Sequence, residues 1–372
     1  MCTLNFPLKF YISDNNLLPL ADKILCQERL TFNDGLTLYA SQDITGIGAM
    51  AHAVRLRMHG KKTYYVVSRR ISYTNICYTN CQFCAFRARP NDSKAYVLSV
   101  EDIVNEMKKP KNIGVRELHI VAGLYPKLKI DYFENLFQKL TDNFPNLHLK
   151  ALSMVEIDYY AKVSGITVED FLDRCIASGL ESCPGGGAEI FDEKIRKKIC
   201  RGKKSSEIWL NTAEICHRKG ISTNCTMLYG HIEEPIHRVD HLLRLRSLQD
   251  KTGGFLAYIP LAYQVENNEL GQSYNIKGTT SQQDLREIAV SRLLLDNIQH
   301  IKAYWVMITE ELAQLGLSYG ANDIDGTIIE ESIAHDAGAQ TPQCISKDKL
   351  RYLIEKAGFE PLERDNLYQI YD

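Results

Sequence analysis

Short strand-forming runs alternate with helical runs along most of this 372-residue chain. Eight strand candidates can be placed, the first over residues 63–68 and the last over residues 317–323. The helical runs are amphipathic, as where Leu285, Ile288 and Leu293 recur at helical spacing. Strand–helix alternation requires parallel pairing, so we expect an α/β fold, a (β/α)8 TIM-type barrel. An open, doubly wound sheet would alternate in the same way and is the alternative.

The chain on either side of these units is expected to be helical. We assign residues 1–60 to an N-terminal helical extension packed on the barrel, 61–335 to the barrel, and 336–372 to a C-terminal helical tail. In a parallel barrel the chemistry lies on the loops that follow the strands, at their carboxyl ends. Candidate site residues should therefore fall just after a strand.

Charge and cysteine usage limit the partners and the compartment. The chain has 44 basic and 46 acidic residues, which offers no basic face for a nucleic acid. No signal peptide is recognisable, and no apolar run approaches the roughly 18 residues that span a bilayer. Most of the 11 cysteines are scattered among apolar neighbours, as expected of free thiols in a reducing cytoplasm. We therefore expect a cytoplasmic protein with no nucleic-acid partner and no membrane association.

Three cysteines are clustered directly after the first strand. In TNICYTNCQFCAF, Cys77, Cys81 and Cys84 have the spacing C-x3-C-x2-C. Structural zinc needs a fourth ligand, and no second C-x2-C occurs in the sequence. A ferredoxin-type carrier uses four cysteines at a different spacing. A cluster held by three thiolates would leave one iron open, and an open position is the mark of a catalytic metal.

This spacing, with an aromatic residue before the last cysteine, resembles the radical S-adenosylmethionine (SAM) superfamily. The resemblance implies that Cys77, Cys81 and Cys84 hold a [4Fe–4S] cluster whose open iron binds SAM, with Phe83 beside it. It also implies that Gly123, at the end of the second predicted strand, meets the SAM amino group. One electron from the cluster then cleaves SAM to methionine and a 5′-deoxyadenosyl radical, and the protein supplies orientation.

Four further segments resemble one branch of that superfamily, the futalosine-pathway and deazaflavin enzymes. They are KALSMVEI (150–157), PGGGAEIF (184–191), TMLYGHIEE (226–234) and LQDKTGGFLAYIPLAY (248–263). Within the branch, residues 293–307 and 319–327 are most similar to the aminofutalosine synthases. The sister cyclases, which close a spiro ring in the same pathway, are the alternative within enzymes. A non-enzymatic iron–sulfur or zinc protein is the alternative from another class.

The resemblance implies a transferase of menaquinone biosynthesis. SAM would be a co-substrate, and its adenosyl radical would add to 3-[(1-carboxyvinyl)oxy]benzoate. Aryl migration and loss of bicarbonate would then give 6-amino-6-deoxyfutalosine. The expected partners are this small-molecule substrate and an electron donor such as flavodoxin or ferredoxin.

Other polar residues and glycines follow the predicted strands. Each has a possible functional role and, as the alternative, an ordinary structural role. Glu156 would bind a ribose or the SAM ammonium group, or be a solvated loop acid; His231 would transfer a proton, or be structural. The expected cofactor-binding residues are Gly185, Gly186, Gly187 and Glu189, where a glycine turn admits an anion or only turns the chain. The expected substrate-binding residues are Tyr229, Asp323 and Asp325, which alternatively pack or cap a helix.

Two stretches depart from the pattern of this branch. Residues 68–75 read SRRISYTN, and Ala122 and Tyr125 stand where Gly and His are usual. These departures leave the cysteines intact but allow a shifted substrate. The run KIRKKICRGKK (194–204) has seven positive charges and no acid, which indicates a solvated helix face or attraction of an anionic substrate.

Overall fold

The computed structural model describes residues 8–112 and 114–371. Its strands are β1 Lys62–Val66, β2 Ser68–Ile71, β3 Asn80–Cys81, β4 Glu117–Ile120, β5 His148–Ala151, β6 Ser182–Cys183, β7 Cys200–Arg201, β8 Ser222–Tyr229, β9 Phe255–Ala262, β10 His300–Ile301, β11 Asp323–Gly326 and β12 Glu360–Glu363. Its α-helices are α1 Leu18–Leu25, α2 Phe32–Ala40, α3 Ile44–His59, α4 Val100–Met107, α5 Ile130–Asn143, α6 Met154–Ser164, α7 Val168–Ala177, α8 Glu193–Ile199, α9 Ser206–Arg218, α10 Pro235–Thr252, α11 Glu269–Tyr274, α12 Ser281–Leu294, α13 Trp305–Ile308, α14 Glu310–Gly316, α15 Ile333–Asp336 and α16 Lys347–Lys356.

The strands form a parallel barrel. Seven of them make one sheet in the order β10–β9–β8–β6–β5–β4–β2. β11 completes the ring, because it pairs in parallel with β1 and a bridge joins Asp323 to Lys302 just past β10. Only Val67 separates β1 from β2, so the two act as one stave. The expected TIM-type α/β fold is confirmed.

Local sequence signals explain several element boundaries. Ser99 and Asp102 form a capping box at the start of α4, and Pro235 occupies the first turn of α10. The last predicted strand is shifted: residues 317–319 form a 3₁₀ turn, and the strand begins at Asp323. Gly320, with φ of 110°, makes the turn between them.

The end of the barrel opposite the carboxyl ends of the strands is filled by the C-terminal part of the chain. β12 pairs with β1, and Arg364 then enters the barrel, where its Nε donates to Asp323 at 2.7 Å. Farther on, Asn366 accepts a hydrogen bond from Lys150 at 2.5 Å. A strand and these interior contacts were not predicted for a tail expected to be helical. Charged interior groups are satisfied in this way, as buried charges require.

Within residues 8–112 and 114–371, no helix has the length and apolar character needed to cross a membrane.

Candidate active site

A cavity of about 300 Å³ opens at the carboxyl ends of the barrel strands. On one side it is lined by the cysteine loop that follows β2. The ends of β4, β5 and β6 continue the wall, and the ends of β10 and β11 close it on the other side. The predicted residues that line it are Cys77, Cys81, Phe83, Cys84, Gly123, Glu156, Gly185, Gly186, Gly187, Glu189 and Asp325. The rule that site residues follow the strands therefore holds for most of them.

The three thiols lie on one short, braced loop. Cys77 N–H donates to Ala88 at 3.1 Å, and Cys81 pairs with Cys200 through the two-stranded ribbon of β3 and β7. Burial and, to a smaller extent, the neighbouring Cys81 and Cys77 together raise the pKa of the Cys84 thiol to about 12. Bound metal would displace these protons, since thiolates are the ligands. In the described chain no three His, Cys, Asp or Glu side chains converge on a point suited to a single ion.

Two glycines let the backbone of the cavity wall approach its neighbours closely. A Cβ on Gly123 would lie 2.3 Å from the carbonyl oxygen of Ile76, the residue before the first cysteine. A Cβ on Gly185 would lie 2.6 Å from the Cα of Cys225 on β8. At Gly186 the nearest atom would be the Cβ of Ser153, 3.8 Å away, so a methyl group would fit there without a clash. Three thiols beside an open glycine cradle fit a cluster-bound SAM, which needs both.

Glu156 lines the cavity but has its carboxylate fully engaged. It is the third residue of α6 and forms a capping box with Ser153, whose Oγ donates at 2.6 Å. Tyr73 Oη donates at 2.7 Å, and Ala122 N–H donates at 3.1 Å. Burial raises the pKa of Glu156, although these hydrogen bonds oppose the rise. Glu156 thus ties the approach to the cysteine loop to the strand end at Ala122, and it is not the solvated acid of the alternative reading.

Glu189 forms an ion pair with Lys203, a residue of the basic run noted in the sequence. Lys203 Nζ also lies 5.3 Å from the ring centroid of Phe83, within cation–π range. Burial lowers the pKa of Lys203, but the neighbouring Cys81 and Glu189 outweigh it and raise the pKa overall. One cation of the run therefore enters the cavity, while most of the others lie on the exposed face of α8 and β7.

Three predicted site residues are placed away from the cavity lining, which corrects the expectation that they face a ligand. His231 Nε2 lies 3.0 Å from the Leu228 carbonyl, and its Nδ1 accepts from Ile232 N–H at 2.7 Å, so both ring nitrogens are used. Tyr229 Oη donates to Asp284 on α12 at 2.8 Å, in the helical layer. Asp323 is paired with Arg364 at the closed end of the barrel.

Strand alternation explains the error at Tyr229. Side chains of one strand point alternately to its two faces. Asn224, Thr226 and Leu228 of β8 line the cavity, so Tyr229 must face the helices. Counting alternate residues along β8 in the sequence would have placed Tyr229 on the opposite face from Asn224, Thr226 and Leu228. Other lining residues were not predicted as site residues, among them Arg70, His119, Lys203, Asn224, Thr226, Tyr304 and Glu331. Most of them lie within the predicted strands, whereas site residues were expected only directly after a strand.

One wall of the cavity has a pH-sensitive brace. His335 on α15 hydrogen-bonds Glu331, and this contact raises the pKa of His335 to about 9 although burial opposes it. A histidine whose folded pKa exceeds its ordinary value of 6.5 contributes stability that is complete below pH 6.5 and lost as the pH rises through 9. We expect wild type to exceed His335→Gln by about 1 kcal/mol in unfolding free energy at pH 6 and by almost nothing at pH 10. Denaturant titrations across this range measure the difference; a constant gap would contradict it.

Comparisons with known proteins agree with the geometry. Residues 71–246 match the model of the radical SAM superfamily, and residues 252–372 match the CofH/MqnC C-terminal region. The chain is 46% identical to aminodeoxyfutalosine synthase of Thermus thermophilus over 359 residues, 96% of each chain. It is 36% identical to cyclic dehypoxanthine futalosine synthase of Streptomyces coelicolor, over 95% of this chain and 88% of that one. The crystal structure of methylornithine synthase shares the fold, with a TM-score of 0.73 at 18% identity, covering 92% of this chain and 97% of that one.

A parallel barrel with three thiols and a glycine turn at the carboxyl ends of its strands defines a radical SAM enzyme. Members of this superfamily use a [4Fe–4S] cluster and SAM, and these are the cofactors here. At the level of identity and coverage reported above, the chain belongs to the aminodeoxyfutalosine synthase family. The sister cyclase is the more distant relative of the two.

Proposed function

We propose that this protein joins the 5′-deoxyadenosyl group of SAM to 3-[(1-carboxyvinyl)oxy]benzoate. SAM, the vinyl ether and water give 6-amino-6-deoxyfutalosine, methionine, bicarbonate and a proton, so the overall reaction is redox-neutral. The observation that carries the proposal is the shared cavity, in which the cysteine loop and the glycine cradle face a second, partly apolar wall. The high identity to a synthase over nearly the whole chain supports the same reaction.

The residues of the chain bind and orient the two substrates. When bound, the reduced cluster supplies the electron that cleaves the C5′–S bond of SAM. We assign Gly185, Gly186 and Gly187 to the SAM backbone contacts, since they line the same cavity as the three cysteines and no protein atom crowds Gly186. Glu156 acts as a positioning residue through Ala122 and Tyr73. His231 keeps a structural role, because its ring nitrogens hold the turn after β8.

The opposite wall shields the reacting carbons from water. Ile259 and Leu261 of β9 line it, with Met307 beyond β10. Apolar side chains there exclude water from the cavity and place no polar group beside the reacting carbons. Asp325 also faces the cavity, and its carboxylate lies 3.4 Å from Lys302 Nζ. We assign Asp325 to the substrate side of the site, whereas Asp323 stabilises the closed end.

The direct test is an anaerobic incubation of reconstituted, reduced protein with SAM and the vinyl ether. We expect a product with the mass of 6-amino-6-deoxyfutalosine, and methionine in equal amount. Free 5′-deoxyadenosine with no adenosylated product would contradict the proposal and favour hydrogen abstraction, as in the cyclase alternative. Binding of zinc alone, with no reducible cluster that SAM perturbs, would contradict radical chemistry altogether.

The electron donor is proposed to be an acidic redox protein such as flavodoxin or ferredoxin. Arg201 of β7 and Lys198 of α8 are exposed, and β7 pairs with the cysteine strand β3. Arg89 belongs to the same surface, since its guanidinium contacts Asn80, the pairing partner of Arg201. An anionic donor would be steered to this basic face, next to the cluster.

Charge reversal tests the donor surface. We expect Lys198→Glu with Arg201→Glu to lower turnover supported by reduced flavodoxin about tenfold at low salt. Turnover with dithionite should be unchanged, because a small reductant needs no docking face. Lys139→Glu, an exposed position on α5, is the matched control and should behave as wild type. Equal losses with both reductants would show that the variant damages the enzyme itself.

We place the reaction in the cytoplasm. Eight described cysteines that are not exposed to solvent form no disulfide: Cys77, Cys81, Cys84, Cys175, Cys183, Cys200, Cys216 and Cys225. Free thiols and a reducible cluster both suit a reducing compartment.

A further inference from the structure

One arc of the cavity wall carries polar groups to which the proposed function has given no role. It is formed by the ends of β10, β11 and β2, which are neighbours around the barrel. Arg70 of β2 and Tyr304, just past β10, both line the cavity there. Arg70 is in register with His119 of β4, so both side chains point to the same interior face.

The carboxylate of Glu331 lies near Arg70 but does not accept a hydrogen bond from it. Its Nη1 lies 3.6 Å from Glu331 Oε1, beyond hydrogen-bond distance. The oxygens of Glu331 are already occupied, because Ile333 N–H donates at 3.1 Å and Ala334 N–H at 2.8 Å. The guanidinium, only one-fifth exposed, thus keeps donors free toward the cavity. Guanidinium donors match a carboxylate in a two-pronged geometry.

Tyr304 presents a second unused donor. Its side chain is 3% exposed, and its Oη has no hydrogen-bond partner within the described residues. A buried hydroxyl without a partner is costly and calls for one. The Arg70 Cζ lies 5.0 Å from the Tyr304 ring centroid, so the two groups serve the same part of the cavity.

Burial lowers the pKa of Arg70, but Glu331 and Asp325 are among the groups that raise it overall, and each of these carboxylates also has other partners. Asp325 is compensated by Lys302, whose Nζ lies 3.4 Å away. Burial, and then the charge of Arg70, lower the pKa of His119 well below its ordinary value, so His119 is neutral. Glu331 is stabilised by backbone donors and by His335. A ligand carboxylate would therefore meet one available cation and one available hydroxyl.

We propose that Arg70 and Tyr304 form a carboxylate-binding subsite that takes the ring carboxylate of an aryl carboxylic acid. The inference rests on the proposed function for the identity of that acid. The glycine cradle follows β6, which lies across the barrel from β11, so we assign the SAM carbon and the vinyl carbon it attacks to that side. The ring carboxylate, at the far end of the substrate, then reaches the arc of β10, β11 and β2. The subsite sets the ring before the radical forms.

Binding of an unreactive aryl acid tests the subsite without turnover. Calorimetry of 3-methoxybenzoate, with 3-methoxybenzamide as its uncharged counterpart, compares wild type with Arg70→Met and Tyr304→Phe. We expect Arg70→Met to weaken benzoate binding about 30-fold and Tyr304→Phe about fivefold, as for lost charge-assisted and neutral hydrogen bonds. Binding of the amide should be nearly unchanged. Arg29→Met removes an exposed cation far from the cavity and is the matched control; equal benzoate affinity in wild type and Arg70→Met would overturn the proposal.

Turnover of truncated substrates identifies which carboxylate is bound. Wild type should prefer the intact vinyl ether over 2-phenoxyacrylate, which lacks the ring carboxylate, by about 30-fold in kcat/KM. Arg70→Met should lose this preference and process 2-phenoxyacrylate as wild type does. If Arg70→Met keeps the preference, or loses equally on both substrates, the subsite assignment is wrong while the proposed function stands. If wild type makes no adenosylated product from either substrate, the proposed function itself fails, and the benzoate titrations still decide the subsite.

Discussion

Cys81→Ser is expected to reduce product formation to the uncatalysed background. Cys81 is 4% exposed and fixed by the pairing of β3 with β7, so a shorter, harder oxygen ligand cannot move to replace the thiolate. Iron and sulfide analysis after anaerobic reconstitution should show loss of the cluster, and the reduced protein should no longer cleave SAM. The polypeptide should stay folded, since the loop is braced elsewhere by Cys77 and Ala88.

Cys200→Ser is the matched control for this substitution. Cys200 lies opposite Cys81 on the same ribbon, and its Sγ donates to the Arg196 carbonyl at 3.2 Å, a contact that a serine hydroxyl can also make. The control should retain cluster and activity. Loss of the cluster in Cys200→Ser would mean that a fourth cysteine is a ligand, and the open iron site would be excluded.

The second large effect is expected at Gly123. A Cβ there would meet the Ile76 carbonyl oxygen at 2.3 Å, and that atom is backbone and cannot rotate away. Gly123→Ala must therefore displace the residue before Cys77, at a cost of about 1–3 kcal/mol or more in unfolding free energy. Thermal unfolding and iron content should both fall.

Gly186→Ala distinguishes an effect on SAM binding from an effect on protein stability. Its Cβ would have no protein atom nearer than 3.8 Å, so thermal stability should match that of wild type. The methyl group would occupy the space assigned to SAM, and SAM affinity, measured by equilibrium binding to the reconstituted protein, should drop at least tenfold. Unchanged SAM affinity would move the SAM site away from this glycine turn.

The fold class and the thiol loop could be predicted from the sequence because both depend on local sequence patterns. Strand–helix alternation and the cysteine spacing depend on neighbours in the chain, and the glycine turn follows its strand directly. Tyr229 and His231 could not be resolved this way, because their roles depend on which face of β8 they occupy and on the helix packed outside it. Asp323 was misplaced because its partner, Arg364, is 41 residues away and in a segment expected to be a helical tail.

Arg70 and Tyr304 are cavity residues that the sequence analysis did not predict, for the same reason. They are separated by more than half of the chain, and their proximity exists only once the barrel closes between β10, β11 and β2. The departure at residues 68–75 marked the region in the sequence but assigned no chemistry to it. Long-range closure, and not local propensity, creates this part of the cavity.

The ribbon of β3 and β7 also separates the proposed path of the electron from the path of the organic substrates. Its inner side carries Cys81 toward the cavity, and its outer side presents Arg201 to solvent. A donor protein docked on the proposed basic face would pass its electron across the thickness of this ribbon, whereas SAM and the aryl acid would enter at the open end of the barrel. Reduction by this route would not pass through the mouth of the cavity, so the electron could be delivered while both organic substrates are bound.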